Sequence, residues 1–395
     1  MKNINRRLFL KATGLSGIPL LAPAIPLSTM ASEQTSDLKE DNRLYFFFDG
    51  IFLRPTEYLT RLQALNQSKE IQSDQYGRGG AVEELEKKFA AITGKEAAVF
   101  MPSGTMANQF AIAVLSGSNS KVFVQETSHV FRDEADAAQS VFGKRLIPLA
   151  QGKAHFTLDE LQQSVEYHNK GEVFKSGIGA VSVENPVRRS DGRFVPLEEL
   201  KKISGWCREQ GFKLHLDGAR IYMASAWTGI PISDYASLFD TVYISLYKYF
   251  GAAAGAVLCG DKAVIDQMHH LIKIHGGGMY QNWANAAMAL YTLEGFEIRL
   301  QQTIKKAKGL FTQLNQLPEL KVVPLQNGTN IYAVELDSTV NSSKLSAHLR
   351  EKYNIFLPLR GADGTVKITI NETLLRIDNS QVTAAFKDAI KIAKS

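Results

Sequence analysis

A lysine and an aspartate, each following an apolar segment, are the residues of this chain best placed to do chemistry. Lys248 comes three residues after the β-branched segment Thr241–Ser245, and Asp217 directly follows the apolar segment 212–216. The amine of a lysine can form a Schiff base with an aldehyde. A carboxylate can keep the nitrogen of a pyridine ring protonated, so that the ring accepts electrons. Together the two residues predict a binding site for pyridoxal 5′-phosphate (PLP).

The segment 101–108 joins a predicted strand to a predicted helix and is a candidate phosphate site. Ser103 can cap the helix, and Gly104 allows a ligand to come close to the backbone. The free N–H groups of the first helical turn and the hydroxyl of Thr105 can then hold an anion. The alternative is a plain capping turn, since Ser-Gly is common before a helix.

His129 follows the strand that we predict at 122–125, so it too is expected at a carboxyl-terminal strand end. An imidazole there can stack on a pyridine ring. The alternative is an ordinary histidine in a surface loop. Beside Lys248 and Asp217, we favour the stacking interpretation.

Short apolar segments alternate with amphipathic segments from about residue 44 to residue 295. β-Branched apolar segments predict strands, and a period of 3.6 residues predicts helices. The predicted strands are 97–101, 122–125, 145–149, 180–184, 212–216, 241–245 and 255–259, and the predicted helices are 82–93, 105–115, 158–167 and 196–209. This alternation predicts an α/β fold with a mostly parallel sheet between helices. Ligands of such sheets bind at the carboxyl ends of the strands, where Lys248 and Asp217 are expected.

The pattern changes towards the C-terminus. We predict a long helical stretch that begins near Tyr280 and runs past Leu310. It is followed by predicted strands at 320–323, 331–335, 355–357 and 366–370, and by predicted helices at 343–353 and 381–394. We therefore expect a large PLP-binding domain at 44–295 and a small α+β domain at 296–395.

The composition is that of a globular protein, with 45% hydrophobic and 22% charged residues. The formal net charge of +5 comes mostly from the first 31 residues, without which 41 basic and 40 acidic residues remain. This balance gives no reason to expect a nucleic-acid partner. Cys207 and Cys259 are too few for a disulfide framework, and we predict no metal site.

The first 31 residues have the features of an export signal. Arg6 and Arg7 are followed by Phe-Leu-Lys and by a modestly apolar stretch at 12–27 that contains several Gly and Pro, and Ala31 ends a run of small residues suited to cleavage. This resembles a twin-arginine signal peptide. The alternative is a membrane anchor, but the stretch is too short and too rich in Pro and Gly for a stable spanning helix. We expect a periplasmic protein with a flexible mature terminus at 32–43.

Ten segments, in order, resemble the low-specificity threonine aldolases, which are β-eliminating lyases with the PLP-dependent aspartate aminotransferase fold (fold type I). The matching segments are RPTE at 54–57, YG at 76–77 with VEELE at 82–86, GKEAA at 94–98, PSGTMAN at 102–108, SH at 128–129, EN at 184–185, GRFVPL at 192–197, HLDGAR at 215–220, the lysine segment at 241–260 and GGGM at 276–279. The resemblance implies PLP as the cofactor. It implies that Lys248 binds PLP covalently, Asp217 pairs with the pyridine nitrogen, His129 stacks on the ring and the residues at 103–105 hold the phosphate.

The resemblance also implies how a small amino-acid substrate is bound. Arg220 would lie beside the ring within reach of the substrate carboxylate, and Tyr76 would come from the neighbouring subunit of a homodimer or homotetramer. Asp49 stands where the family usually has serine, and Lys367 where it has a carboxylate-binding arginine. A lysine attracts a carboxylate but cannot make the planar two-pronged contact. Arg360, in a nearby predicted loop, is a candidate to compensate.

Three functions remain open at this point. The first is cleavage of a β-hydroxy-α-amino acid into glycine and an aldehyde, with His129 or a bound water as the base. The second is β-elimination, racemisation or transamination of another amino acid, favoured by further departures from the family at Asp133, Pro186, Val187 and Tyr280. The third is a binding protein without catalysis, against which the retained lysine and aspartate argue.

Overall fold

The structure is a computed structural model that describes residues 42–361 and 364–394. The predicted export signal at 1–31 and nearly all of the predicted flexible terminus at 32–43 lie outside the described residues. The described residues belong to one compact unit, so the division into domains after residue 295 stays a prediction. None of the described helices combines the length and the apolar character that crossing a bilayer requires.

The described residues form the strands and helices expected of an α/β protein. The strands are β1 (Leu44–Tyr45), β2 (Ala97–Met101), β3 (Lys121–Gln125), β4 (Arg145–Leu149), β5 (Ile178–Glu184), β6 (Lys213–Asp217), β7 (Thr241–Ser245), β8 (Ala256–Gly260), β9 (Leu320–Pro324), β10 (Ile331–Leu336), β11 (Ile355–Phe356) and β12 (Val366–Thr369). The helices are α1 (Pro55–Ser68), α2 (Gly80–Thr93), α3 (Gly104–Ser116), α4 (His129–Arg132), α5 (Ala137–Phe142), α6 (Leu158–Asn169), α7 (Leu197–Glu209), α8 (Ile221–Thr228), α9 (Ile232–Ala236), α10 (Lys262–Ile274), α11 (Trp283–Leu293), α12 (Phe296–Leu314), α13 (Ser342–Tyr353) and α14 (Asn379–Lys394).

The large sheet has seven strands in the order β2-β8-β7-β6-β5-β3-β4. Strand β8 is antiparallel to both of its neighbours, and the remaining neighbours pair in parallel. Every residue of β3, β5, β7 and β8 is buried, as a sheet covered by helices on both faces requires. The predicted α/β fold with a mostly parallel sheet is confirmed.

The direction of the strands decides where the polar residues meet. Because β8 is antiparallel to both β2 and β7, those two strands run in the same direction as β3, β5 and β6. The carboxyl ends of these five strands therefore lie along one edge of the sheet, which is where ligands of α/β proteins bind.

A second hydrophobic core lies around the antiparallel sheet β12-β10-β9 and helices α12, α13 and α14. The start of the described chain belongs to this core, because β1 pairs with β11 and the side chains of Leu44 and Phe46 are buried in it. The sequence pattern groups these residues with the large domain instead. Their packing positions the next segment, 48–53, between the second core and the large sheet.

The long helical stretch predicted from near Tyr280 past Leu310 is helical in the structure but contains a break. The structure divides this stretch into α11 and α12, which are separated at Glu294 and Gly295. Gly295 has a φ of 65°, in the left-handed region that glycine adopts without steric cost. The apolar pattern continues across the break, so periodicity alone does not show it.

Candidate active site

A cavity of about 240 Å³ lies at the carboxyl edge of the large sheet. The predicted site residues that line it are Ser103, Gly104, Thr105, His129, Asp217, Arg220 and Lys248. Each follows or caps an element that ends at this edge. The structure therefore brings the predicted lysine, aspartate, histidine and phosphate loop to a single cavity.

Lys248 lies in the turn that follows β7, and its neighbours limit where its amine can go. A Cβ atom added to Gly50 would lie 2.5 Å from the Cα of Tyr249, so the backbone at Gly50 packs directly against the lysine turn. Burial, followed by the charge of Arg220, lowers the pKa of the Lys248 amine to about 8, while the carboxylate of Asp217 opposes the shift. Near neutral pH, a larger fraction of this amine is therefore in the neutral, nucleophilic form than in an ordinary lysine.

Asp217 is the last residue of β6, and its carboxylate is buried and fixed on both oxygens. Oδ1 accepts a hydrogen bond from the backbone N–H of Ala219 at 3.1 Å, and Oδ2 accepts one from Asn108 Nδ2 at 3.0 Å. Only 2% of Asp217 is exposed. A buried carboxylate with fixed partners is suited to hold a positively charged ring nitrogen.

The Asn108 amide connects Asp217 to three other polar side chains. Its Nδ2 also donates to Glu134 Oε1 at 2.8 Å, and its Oδ1 accepts from His215 Nε2 at 2.9 Å. Because Nε2 of His215 carries the proton, Nδ1 accepts from the hydroxyl of Thr241, which lies 2.8 Å away. Burial lowers the pKa of His215 to about 4, so this histidine is neutral. The network fixes the amide that orients Asp217.

His129 is held at the start of α4 by two acids. Its backbone N–H donates to Glu184 Oε2 at 2.7 Å, and its Nδ1 lies 2.9 Å from Glu134 Oε1. The hydrogen bond with Glu134 raises the pKa of His129, and burial opposes the rise. Burial and the neighbouring charge of Asp217 raise the pKa of Glu184 to about 7. The imidazole therefore faces the cavity in a fixed orientation and accepts a proton readily.

The amino end of α3 has the shape of an anion cradle. Ser103 caps the helix, since its hydroxyl accepts a hydrogen bond from the N–H of Met106 at 3.2 Å. A Cβ atom at position 104 would lie 2.0 Å from the hydroxyl of Tyr243, so only glycine fits there. The first N–H groups of a helix have no partner within it. With Thr105 they form a site for a phosphate at the cavity wall.

These groups fit PLP. The cavity offers one amine for the aldehyde, one buried carboxylate for the ring nitrogen and one helix amino end for the phosphate. Among the described residues, no group of His, Cys, Asp and Glu side chains is arranged to hold a metal ion.

Of the residues predicted to bind the substrate, Arg220 lies at the cavity and the others do not. Arg220 lines the cavity, and its Nε lies 2.6 Å from Oδ2 of Asp49. The amine of Lys367 lies 3.0 Å from Asp191 Oδ2. Arg360 is exposed in the loop after β11. Asp49, Lys367 and Arg360 are not among the described residues that line the cavity.

Tyr76 lies outside this cavity. It has a left-handed φ of 51°, and its N–H donates to the backbone oxygen of Tyr280 at 2.9 Å. Its ring, 56% exposed, packs against Tyr280 and the amine of Lys273. The proposed entry of Tyr76 into the site of a neighbouring subunit stays a prediction.

Several residues of the site are not predicted from the sequence as site residues: Asn108, Glu134, Glu184, Tyr243 and Tyr247. Signals for some of them exist. Asn108 lies one helical turn after Gly104, and Glu184 ends a strand. Tyr243 is the register partner of Asp217 in the next strand, a pairing that only the sheet reveals.

A sequence model of one enzyme family, described as β-eliminating lyase, matches residues 54–338. The chain belongs to this family. It is 34% identical to a low-specificity L-threonine aldolase of Candida albicans over 278 residues, which are 69% of this chain and 72% of the relative. It is 33% identical to an alanine racemase of Cochliobolus carbonum over 208 residues, 52% of each chain.

A solved structure shares the fold of this chain along almost the whole length of both proteins. It is a protein from Exiguobacterium sp., proposed to be an aromatic amino acid β-eliminating lyase or threonine aldolase. The TM-score is 0.75 at 28% identity, and the match covers 89% of this chain and 98% of that one. The predicted PLP-dependent fold type I is thereby confirmed.

We predict that Glu134→Gln lowers the pKa of His129, because a neutral amide cannot stabilise the imidazolium as the carboxylate does. In the wild type the pKa of His129 is raised, so the pair of His129 and Glu134 stabilises the fold. This stabilisation is fully present below the pKa that His129 has in the unfolded chain, and it is lost as the pH rises through the pKa that His129 has in the folded protein. NMR titration of the histidine ring measures the shift. Glu126→Gln, which removes an acid paired with Arg132, is the matched control. An unchanged pKa in Glu134→Gln would contradict this role.

Proposed function

We propose that this protein is a PLP-dependent lyase that cleaves a β-hydroxy-α-amino acid into glycine and an aldehyde. The observation that carries the proposal is the presence of Lys248 and Asp217 in one cavity together with the amino end of α3. The similarity to a low-specificity L-threonine aldolase supports it.

PLP, when bound, supplies an electron sink for the carbanion that forms when a bond to the α-carbon breaks. Asp217 would keep the positive charge on the ring nitrogen, and its own position is fixed by Asn108 and the N–H of Ala219. The Lys248 amine, with its pKa lowered to about 8, would hold the cofactor aldehyde as a nucleophile.

The reaction also needs a group that takes the proton of the β-hydroxyl. His129 lines the cavity, and its neutral imidazole is the candidate base, acting directly or through a bound water. Glu134 stabilises the imidazolium that results, which is the physical meaning of the raised pKa of His129. Arg220, the guanidinium of the cavity, is the candidate hydrogen-bond donor to the carboxyl group of the substrate.

A second candidate function is racemisation of an amino acid. The similarity to an alanine racemase favours it. Racemisation needs the same ring nitrogen partner and the same lysine, but it breaks the bond from the α-carbon to hydrogen and leaves the carbon skeleton intact. The products therefore separate the two functions.

We predict that the purified protein releases glycine and acetaldehyde from at least one of L-threonine, L-allo-threonine and their D-isomers. Lys248→Ala should lose the visible absorption of the bound cofactor and at least about 100-fold in rate. Lys201→Ala, an exposed lysine on α7, is the matched control. Turnover at the wild-type rate in Lys248→Ala contradicts the site. Interconversion of alanine isomers without release of glycine identifies a racemase.

We propose, further, that the twin-arginine signal at 1–31 directs the folded protein to the periplasm. In a bacterial host with this export route, the wild type should appear in the periplasmic fraction with a terminus after Ala31. The double variant Arg6→Lys, Arg7→Lys should remain in the cytoplasm at full length. A wild type found only as a full-length cytoplasmic chain would exclude export.

The assembly that we propose is a homodimer or homotetramer acting on a small amino-acid substrate. The exposed rings of Tyr76 and Tyr280 support a subunit contact near residue 76. The molar mass in solution tests this part of the proposal.

A further inference from the structure

The guanidinium of the cavity is already paired with a carboxylate of the chain. Nε of Arg220 lies 2.6 Å from Oδ2 of Asp49, and Oδ1 of Asp49 lies 3.3 Å from Nδ2 of Asn330. Each side chain of the ion pair is only 14% exposed. Because little water reaches the pair, the two charges attract each other more strongly than they would at the surface.

The residues on both sides of Asp49 are held in place by contacts of their backbone. The N–H of Phe46 donates to the oxygen of Phe356 at 3.0 Å, and Asn371 Nδ2 donates to the oxygen of Phe48 at 2.7 Å. On the other side, Gly50 packs so closely against Tyr249 that a Cβ atom there would lie 2.5 Å from the Cα. These contacts fix the backbone on both sides of Asp49 and hold its segment beside Arg220.

Lys367, a second cation predicted to bind a carboxylate, is also paired, and the third, Arg360, is exposed and does not line the cavity. Lys367 lies 3.0 Å from Asp191, and neither residue lines the cavity. The described cavity wall contains three acids, namely Glu134, Glu184 and Asp217. A substrate carboxylate thus meets one guanidinium whose charge is neutralised within the chain.

We propose that Asp49 determines substrate specificity by cancelling the charge of Arg220. The site then accepts amino compounds that carry a neutral group in place of the α-carboxylate, such as amides and esters of β-hydroxy-α-amino acids, about as well as it accepts the free acids. The inference rests on the proposed function only in taking PLP as the cofactor. The opposite role, in which Asp49 orients Arg220 to bind a carboxylate, predicts the opposite sign when Asp49 is replaced.

The test compares two amines that differ by one carboxylate and need no turnover. Aminooxyacetate and methoxyamine both attack the cofactor carbon that is bonded to Lys248. The nitrogen of the probe replaces Nζ on that carbon, and the lysine leaves as a free amine without oxidation or reduction. The loss of visible absorption gives each rate. The ratio of the two rates measures how strongly the site favours a probe that carries a carboxylate.

We predict that Asp49→Asn raises the ratio of the aminooxyacetate rate to the methoxyamine rate by at least about tenfold. Asparagine keeps the size of the side chain and a hydrogen-bond acceptor for Arg220 while it removes the charge. Adding Arg220→Gln to this variant should abolish the gain. Asp266→Asn, which removes the partner of Lys262 on the exposed face of α10, is the matched control and should leave the ratio unchanged.

A ratio that falls or stays the same in Asp49→Asn overturns the proposal and favours the orienting role. If this variant does not take up the cofactor, the wild type decides by itself. Its ratio should lie within about tenfold of the ratio for the Schiff base of PLP with N-acetyl-lysine in solution, and a larger preference for aminooxyacetate overturns the proposal. Neither outcome depends on whether glycine and an aldehyde are the products of the natural reaction.

Discussion

The buried carboxylate of Asp217 is the constraint on which the site depends. A buried charge is costly unless polar groups surround it. Here the partners are the N–H of Ala219 and the amide of Asn108, and Asn108 belongs to α3. The hydrogen bond therefore ties α3 to the end of β6 and directs the amino end of the helix at the same cavity. The groups for the ring nitrogen and for the phosphate are positioned by one interaction.

The walls of the cavity come from parts of the chain that are distant in sequence. The hydroxyl of Tyr243, in β7, occupies the space where a side chain at position 104 would lie, so the close approach of β7 to the start of α3 requires glycine at that position. The segment that contains Gly50 closes the other side against the lysine turn. That segment is itself anchored in the second core through β1 and β11. Substitutions far from the cavity, at this junction, thus affect the position of Lys248.

The sequence predicts much of the fold because buried strands have a strong local signal. The predicted bounds of β2, β4 and β7 match the structure residue for residue. Helix α1 is not predicted, and none of its residues is fully buried. The residues at the carboxyl strand ends, from the lysine and aspartate to the loop at 103–105, are predicted because their position follows from where each predicted strand ends in the sequence.

The rest of the site depends on contacts that a single sequence does not contain. Asp49 and Arg220 are 171 residues apart, and Lys367 and Asp191 are 176 residues apart. Both cations are predicted to bind a substrate carboxylate, whereas the structure pairs both with acids of the chain. The support that Glu134 gives to His129 is close in sequence, but its effect depends on burial that only the folded chain provides.

We propose that the amine of Lys248 and the carboxylate of Asp217 serve one cofactor molecule. Borohydride reduction of the PLP-loaded protein, followed by peptide mass spectrometry, tests the first half of this claim directly, because it fixes the cofactor to the lysine that holds it. We expect one phosphopyridoxyl group per chain, on Lys248, and much weaker loading when Asp217 is replaced by alanine. A label on another lysine, or equal loading without the Asp217 carboxylate, would contradict it.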